Sequence, residues 1–250
     1  MRIIQISDLH SRSNDLYRGV DTTFLLQKIL RKILKFSPDL VILTGDIADP
    51  PSPSNYEVVR FFLAEVQAND IKAYITLGNH DNKYLSKKVL CDVAEFAPFA
   101  IPLNNRCLIG LDSITKYGGK GHFPTLQLDF VSKFRKNYNC ISVFSHHHIS
   151  PIGVKQLDAS SVDNVEDFLI AAGNTLDSYF FGHIHQPYNA KFVYELEQDI
   201  YNLDLYGCPS AVKNFPVIQN YKQLSEGFRL VEFDMMGAYE TYLVNASDWA

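Results

Sequence analysis

Five short polar clusters in the sequence carry side chains that can bind metal ions. Each cluster directly follows an apolar strand-like run, namely "IIQIS", "VILTG", "YITLG", "ISVFS" or "SYFFG". The residues concerned are Asp8, His10, Asp46, Asn79, His80, His146, His147, His148, His183 and His185. Carboxylate, imidazole and amide donors without a cysteine among them suit first-row divalent or trivalent ions such as manganese, iron or zinc. The donor types therefore indicate metal-assisted chemistry.

Each cluster taken alone also has an ordinary structural explanation. Gly45 and Asp46 are typical of a turn after a strand. If the segment around His183 and His185 is extended, both rings point the same way, which is a chelating geometry but also the pattern of a half-buried strand. The ordinary explanation would have to hold at all five strand ends together. The set as a whole therefore favours one shared site.

The elements that would position these clusters alternate between strand-like and helical patterns, which predicts an α/β layered fold. The run "DTTFLLQKILRKILKF" predicts a helix that ends before Pro38, and "SNYEVVRFFLAEVQAND" predicts a second helix with Ser54 as N-cap and Glu57 completing a capping box. From about residue 190 short strand-like runs predict a mainly antiparallel second sheet. The carboxyl ends of parallel strands share one edge, so the five clusters should converge there.

Composition narrows the functional class. A chain of 250 residues with 46% hydrophobic residues is long enough for one large domain spanning residues 1–250. A net charge of −5 provides no broad basic face, so nucleic acid is not an expected partner, whereas a small-molecule substrate is. No apolar run predicts a signal region or a membrane span. Four scattered cysteines favour a reducing compartment, the cytoplasm, and a homodimer is left open.

The ordered motifs resemble those of the calcineurin-like metallophosphoesterase superfamily. They are Asp8-x-His10, Gly45-Asp46, Gly78-Asn79-His80-Asp81, His146-His147 and Gly182-His183-Ile184-His185. The likeness covers nearly the whole chain and is strongest to bacterial cyclic-AMP phosphodiesterases and related glycerophosphodiesterases. The segments "GHIHQ", "CPSAVKNF" and "EGFRLVEFD" carry the resemblance to the cyclic-AMP branch. It implies a four-layer αββα sandwich of two mixed β-sheets flanked by helices.

The same resemblance implies a role for each site residue. Two manganese, iron or zinc ions would share Asp46 as a bridging ligand. One ion would be completed by Asp8, His10 and His185, and the other by Asn79, His146 and His183. His80 would be the catalytic residue, stabilising phosphoryl charge or protonating the leaving alkoxide while a metal-bridging hydroxide attacks phosphorus. Substrate contacts are implied for Asn79, His80 and His147.

The tract "SHHHIS" leaves the choice of ligand open. Alignment on the family pattern makes His146 the ligand and puts His147 near the substrate or a ligand. His148 stands where a proline is common and is expected in a solvated loop. Because this chain lacks that proline, the register of the loop on the family pattern is open, and His147 is the alternative ligand. His122 is expected at the surface, and Asp81 is expected to orient the loop that carries the catalytic histidine.

The resemblance implies hydrolysis of a phosphodiester, with cyclic AMP as the leading substrate. Glycerophosphodiesters and phosphomonoesters are alternatives because the ions bind only the phosphate. A catalytically silent metal-binding interaction protein is the alternative of another class, and the complete ligand set together with His80 favours the enzyme. Selectivity would come from loop aromatics able to stack a nucleobase. The candidates are Tyr56, Tyr117, Phe123, Phe215 and Tyr221.

Overall fold

The computed structural model describes residues 1–115, 119–196, 198–213 and 226–246, and it contains two six-stranded sheets. The first sheet comprises β1 (Arg2–Ile6), β2 (Leu40–Thr44), β3 (Lys72–Thr76), β4 (Glu95–Phe96), β11 (Gly227–Phe233) and β12 (Tyr239–Asn245). The second comprises β5 (Phe99–Leu103), β6 (Arg106–Gly110), β7 (Cys140–Phe144), β8 (Leu176–Phe181), β9 (Tyr188–Leu196) and β10 (Asp199–Gly207). The first sheet has the order β12-β11-β1-β2-β3-β4 and the second the order β5-β6-β7-β8-β10-β9.

Helices cover the outer face of each sheet. They are α1 (Thr22–Phe36), α2 (Pro53–Ala68), α3 (Lys83–Leu90), α4 (Thr125–Arg135), α5 (Lys155–Asp158) and α6 (Val165–Ala172), followed by a 3-10 turn at Gly173–Thr175. Asp21 caps α1 by accepting a hydrogen bond from the backbone N of Phe24 at 3.0 Å. Among the described residues, no helix has both the length and the apolar character that crossing a bilayer requires.

Three apolar layers hold the sandwich together. One layer packs α1, α2 and α3 on the first sheet, another packs α4 and α6 on the second sheet, and the third lies between the sheets. Strand β1 contributes side chains to two of these layers, because successive side chains of a strand point to opposite faces of the sheet. Ile3 faces the second sheet, whereas Ile4 and Ile6 face the helices. This arrangement confirms the predicted αββα sandwich of two mixed sheets.

The parallel strands bring their carboxyl ends to one edge of the molecule. Strands β1, β2 and β3 pair in parallel in the first sheet, as do β6, β7 and β8 in the second. Just below this edge the buried Gln5 amide joins the sheets, donating to Thr44 Oγ1 at 3.1 Å and to the Phe181 carbonyl at 3.3 Å. The two sets of strand ends are thereby fixed relative to each other.

Two local predictions were wrong. The late strands do not form an antiparallel sheet of their own: β9 and β10 join the second sheet, with β10 parallel to β8, whereas β11 and β12 extend the first sheet. Helix α2 begins at Pro53 with Ser52 as its N-cap, two residues before the predicted cap at Ser54. Proline is well suited to a first helical position because its missing N–H has no intrahelical partner there.

Candidate metal centre

All five clusters meet where the parallel strands end, and their backbone is unusual there. Five of the predicted ligands have left-handed backbone: Asp8 (φ 54°), His10 (41°), Asp46 (51°), His183 (65°) and His185 (57°). Non-glycine residues rarely adopt this conformation, and such strain concentrates at functional sites. The extended geometry considered for His183 and His185 is therefore wrong. Their rings diverge, one towards His146 and the other towards His10.

Backbone hydrogen bonds hold the turns against each other. The N–H of Asp8 donates to the Gly45 carbonyl at 3.0 Å, and that of His10 donates to the Asp46 carbonyl at 2.8 Å. Across the two sheets, the N–H of His183 donates to the Asp8 carboxylate at 3.1 Å. The first two bonds join main chain to main chain, whereas the third uses the Asp8 side chain to join the turn of the second sheet to that of the first.

Glycine precedes three of these ligands because there is no room for a side chain. A Cβ on Gly78 would stand 2.2 Å from Asp46 Oδ1. A Cβ on Gly182 would stand 1.8 Å from Ser7 Oγ and 2.8 Å from Asp8 Oδ2. The main chain thus passes directly against the carboxylates, which is one of the uses that proteins make of glycine.

The first donor group consists of Asp8, His10, Asp46 and His185, all buried. His10 Nε2 lies 3.1 Å from His185 Nε2 and 3.6 Å from Asp46 Oδ2. His185 Nε2 lies 3.4 Å from Asp8 Oδ1. One ligand atom from each of the four side chains therefore lies within 4.8 Å of the others, close enough for all four to share one ion.

The second donor group is arranged around His146 Nε2. That atom lies 3.1 Å from Asn79 Oδ1, 3.3 Å from His183 Nδ1 and 3.5 Å from Asp46 Oδ1. The two carboxylate oxygens of Asp46 thus face different groups, Oδ2 towards His10 and Oδ1 towards His146. Asp46 is the residue through which the two donor groups touch.

Two histidines of the donor groups use their second ring nitrogen in a hydrogen bond to a main-chain carbonyl. His146 Nδ1 donates to the Thr44 carbonyl at 2.8 Å, and His185 Nδ1 donates to the Lys213 carbonyl at 3.2 Å. His10 Nδ1 lies 3.4 Å from Asp49 Oδ2. A neutral imidazole that donates through Nδ1 presents a bare lone pair at Nε2, and such outer contacts orient metal-binding histidines.

The protonation states fit a cation between these atoms. Burial, together with the neighbouring His10, lowers the pKa of His185 to about 3, and burial lowers the pKa of His183 well below its ordinary value. Burial and the nearby Asp46 carboxylate raise the pKa of Asp8. The donor atoms stand 3.1–3.6 Å apart, and at His146, whose Nδ1 donates to Thr44, the Nε2 lone pair faces Asn79 Oδ1. Ligands about 2.0–2.2 Å from a shared ion stand about 2.8–3.6 Å apart at tetrahedral or octahedral angles.

His80 stands at the mouth of the site and outside both donor groups. Its side chain is 43% exposed, and its ring meets that of His10 edge-on with centroids 4.9 Å apart. Its backbone N–H, not its ring, donates to Asp46 Oδ1 at 2.9 Å. Its Nδ1 lies 3.5 Å from Asp49 Oδ2. Asp49 was missed by the sequence analysis, although its place three residues after Asp46 in "GDIAD" was the available signal.

Asp81 orients the turn that carries His80, as expected. Its carboxylate accepts hydrogen bonds from the backbone N of Gly78 at 2.9 Å, from that of Ile47 at 3.0 Å and from the Tyr56 hydroxyl at 3.2 Å. Burial and the charge of Asp46 raise the pKa of Asp81 to about 7. Tyr56 is consequently a buried part of this support and has no face on which a nucleobase could stack.

His147 is fully buried and has no surface for a substrate, unlike the contact that the resemblance implied. Its Nε2 donates to the Gly119 carbonyl at 3.0 Å, which leaves Nδ1 to accept from the Ser113 hydroxyl at 2.8 Å. The ring lies beside that of His183, with centroids 4.6 Å apart. Hydrogen bonding therefore occupies both of its nitrogens, and the lone pair of the tract that faces the donor groups belongs to His146.

The expectation that His148 lies in a solvated loop was wrong. The side chain is 1% exposed, with Nε2 3.8 Å from Asp158 Oδ1, and burial lowers the pKa of His148 to about 4. His122 is partly exposed and pairs with Asp163 at 2.7 Å, apart from the donor groups. Phe123 is buried, so it cannot stack a base. The other aromatic candidates, Tyr117, Phe215 and Tyr221, lie outside the described residues.

Comparisons with known proteins agree with this geometry. A family model described as calcineurin-like phosphoesterase matches residues 1–187. A protein of Vesicomyosocius okutanii named probable cyclic nucleotide phosphodiesterase is 29% identical over 223 residues, covering 85% of this chain and 87% of the relative. A probable glycerophosphodiester phosphodiesterase of Arcobacter nitrofigilis is 30% identical over 208 residues, covering 74% and 72%. The crystal structure of a Danio rerio dimetal phosphatase superposes with a TM-score of 0.62 at 12% identity, covering 92% and 91%.

Proposed function

The chain belongs to the calcineurin-like phosphoesterase family, and from that membership we propose that it is a two-metal phosphodiesterase that hydrolyses a cyclic nucleotide such as cyclic AMP. The observation that carries the proposal is the pair of adjoining donor groups, largely buried, that meet at the shared Asp46. A cation in each group would pair with these donor atoms and offset the cost of burying them together. The same proposal treats residues 1–250 as one domain.

Two divalent or trivalent ions would be held by the two donor groups. Asp8, His10 and His185 would hold one ion and Asn79, His146 and His183 the other, with Asp46 donating one oxygen to each. Nitrogen and oxygen donors without sulfur suit manganese, iron or zinc. When bound, such a pair of ions neutralises phosphate charge and lowers the pKa of a coordinated water.

His146, not His147, is the ligand in this proposal. Its Nδ1–H is fixed on the Thr44 carbonyl, and its Nε2 points at Asn79 and Asp46. Both nitrogens of His147 are instead occupied by Gly119 and Ser113. A metal requires a bare nitrogen in a pre-oriented ring, and the one that faces the donor groups belongs to His146, since the bare Nε2 of His148 faces Asp158 instead.

The remaining chemistry falls to His80. Its ring is the exposed imidazole at the mouth of the site, and the main-chain bond to Asp46 fixes its backbone without using the ring. The ring is therefore available to bind the phosphoryl group and to give a proton to the leaving alkoxide. Asp49, 3.5 Å from His80 Nδ1, would orient that ring so that Nε2 faces the substrate. The amide of Asn79 would contribute a further substrate contact.

The preferred substrate class rests on the relatives. The Vesicomyosocius protein, aligned over 85% of this chain, is named for cyclic nucleotides, and the Arcobacter protein for glycerophosphodiesters. The second name supports glycerophosphodiester hydrolysis as the alternative activity. Four free cysteines, two of them buried, support a reducing compartment such as the cytoplasm as part of the same proposal.

A substrate panel tests the proposal. Purified protein reconstituted with manganese would be assayed on cyclic AMP, cyclic GMP, glycerophosphocholine, a phosphomonoester and bis(4-nitrophenyl) phosphate, with Asp46→Asn as the inactive control. The proposal predicts the highest kcat/KM for a cyclic nucleotide. A preference for glycerophosphocholine would assign the alternative activity. No turnover of any diester with manganese, iron or zinc, despite bound metal, would favour the catalytically silent interaction protein instead.

A further inference from the structure

His183 is oriented by a side chain, unlike the other histidine of its donor group. Its Nδ1 lies 3.3 Å from His146 Nε2, inside the second donor group. Its Nε2 lies 2.7 Å from the hydroxyl of Ser160. The second nitrogen of His146, by contrast, is bonded to a main-chain carbonyl, that of Thr44. Within the second group, therefore, the histidine contact that a point mutation can remove is the one made by Ser160.

The hydroxyl of Ser160 has an acceptor for its hydrogen besides His183. It lies 2.7 Å from the carbonyl oxygen of Leu157, which can only accept a hydrogen bond. With the hydroxyl hydrogen on Leu157, the oxygen accepts from His183 Nε2–H. With the proton fixed on Nε2, the lone pair of the imidazole is on Nδ1 and points into the second donor group.

From this geometry we infer that Ser160 is a positioning residue that sets the affinity of the second metal ion. The inference rests on the proposed two-metal function. Ser160 selects the His183 tautomer and holds the ring at the angle that aims Nδ1 at His146 Nε2, the atom that Asn79 and Asp46 also approach. The first ion has no such dependence, because its histidines, His10 and His185, contact Asp49 and the Lys213 carbonyl. Loss of the hydroxyl should therefore affect one ion and spare the other.

The backbone around Ser160 should survive loss of the hydroxyl. The N–H of Ser160 donates to the Leu157 carbonyl at 2.9 Å, and its carbonyl accepts from the N–H of Gly121 at 3.3 Å. Neither bond uses the side chain. The neighbouring Ser161 provides a matched control, because its hydroxyl donates to the Asp158 carbonyl at 2.9 Å in the same turn but contacts no metal-binding residue.

The test is a calorimetric titration of metal-stripped protein with Mn²⁺, which reports each ion without requiring activity. Ser160→Ala should weaken binding of the ion held by the second donor group by about 10–100-fold, the usual effect of losing an outer contact to a ligand histidine. Binding of the other ion should stay within about twofold of the parent. Ser160→Thr, which keeps the hydroxyl, should restore the weakened step, and Ser161→Ala should match the parent. Turnover of Ser160→Ala should be low at limiting Mn²⁺ and recover with excess metal.

The outcomes separate this inference from the proposed function. Two unchanged binding steps in Ser160→Ala, an equal loss of both steps, or a Thr variant no better than Ala would overturn the role of Ser160. A parent protein that binds fewer than two ions would instead refute the two-metal function. Thermal unfolding of each metal-free variant distinguishes a damaged fold from a selective effect, because a purely structural role predicts a lower midpoint and weakened binding of both ions.

Discussion

Replacing His80 by alanine should lower turnover while leaving both metal ions in place. The imidazole is 43% exposed and contacts the His10 ring and Asp49 among the described residues, so the cost in the free energy of unfolding should stay below about 1 kcal/mol. The contact between this turn and Asp46 is made by the backbone N–H, which alanine retains. The variant should therefore fold and bind two ions like the parent.

The size of the expected decrease in turnover follows from the catalytic role that alanine cannot perform. A general acid or a charge-stabilising imidazole contributes about 10²–10⁴-fold, which corresponds to about 2.7–5.4 kcal/mol in the activation free energy. This loss should appear in kcat, since the interaction strengthens as charge develops on the leaving oxygen. For 4-nitrophenolate, which departs with little need for a proton, the deficit should be smaller than for an alkoxide.

The assay compares kcat of His80→Ala and the parent on cyclic AMP and on bis(4-nitrophenyl) phosphate, with metal content measured by elemental analysis. Asp49→Asn, which removes the charge beside His80 Nδ1 but keeps the ring, should give a smaller decrease than His80→Ala. Loss of an ion in His80→Ala would show that the ring serves the metals. Equal deficits on both substrates would eliminate the general-acid role and leave charge stabilisation alone.

Three further perturbations test other parts of the site. Asp46→Asn should lower metal content and kcat together, because one side chain serves both donor groups; elemental analysis showing two ions with normal turnover would contradict this. Gly182→Ala should lower the free energy of unfolding in chemical denaturation by about 1–3 kcal/mol and weaken binding of the first ion, because the added Cβ would press on Ser7 Oγ and Asp8. Gly119→Ala is the control and should do neither, because its Cβ would lie 4.0 Å from the nearest side-chain atom, Asn79 Nδ2. In metal-free protein, buried His148 stays neutral down to a pKa of about 4 while the unfolded chain takes up its proton near 6.5. The free energy of unfolding should therefore fall as pH drops from 6.5 to 4, by up to about 3 kcal/mol from this residue, and His148→Leu should show a shallower slope; equal slopes would refute the assignment.

The sequence by itself indicated the layered fold and most of the side chains that converge at the strand ends. Alternating strand and helix patterns specify a parallel core, and polar residues after successive strands must then gather at one edge, as Asp8, Asp46 and Asn79 do. Local periodicity could not show which sheet the late strands join. The alternating pattern indicates that β10 and β11 are strands, but it does not identify the strands with which they pair. Pairing partners depend on contacts between residues far apart in the chain.

Alignment on the family pattern favoured His146 and left His147 open, and the tertiary structure shows the different contacts that each ring of the tract "SHHHIS" makes. Three identical side chains in a row carry no local information about which ring meets Thr44, Ser113 or the apolar interior, so burial and hydrogen bonding distinguish them. The same holds for Ser160, whose partner His183 is 23 residues away in sequence. The residues that follow each strand in the sequence show which side-chain types can lie at the site. The hydrogen bonds of the assembled fold determine where each proton lies, and therefore which nitrogen can bind a metal.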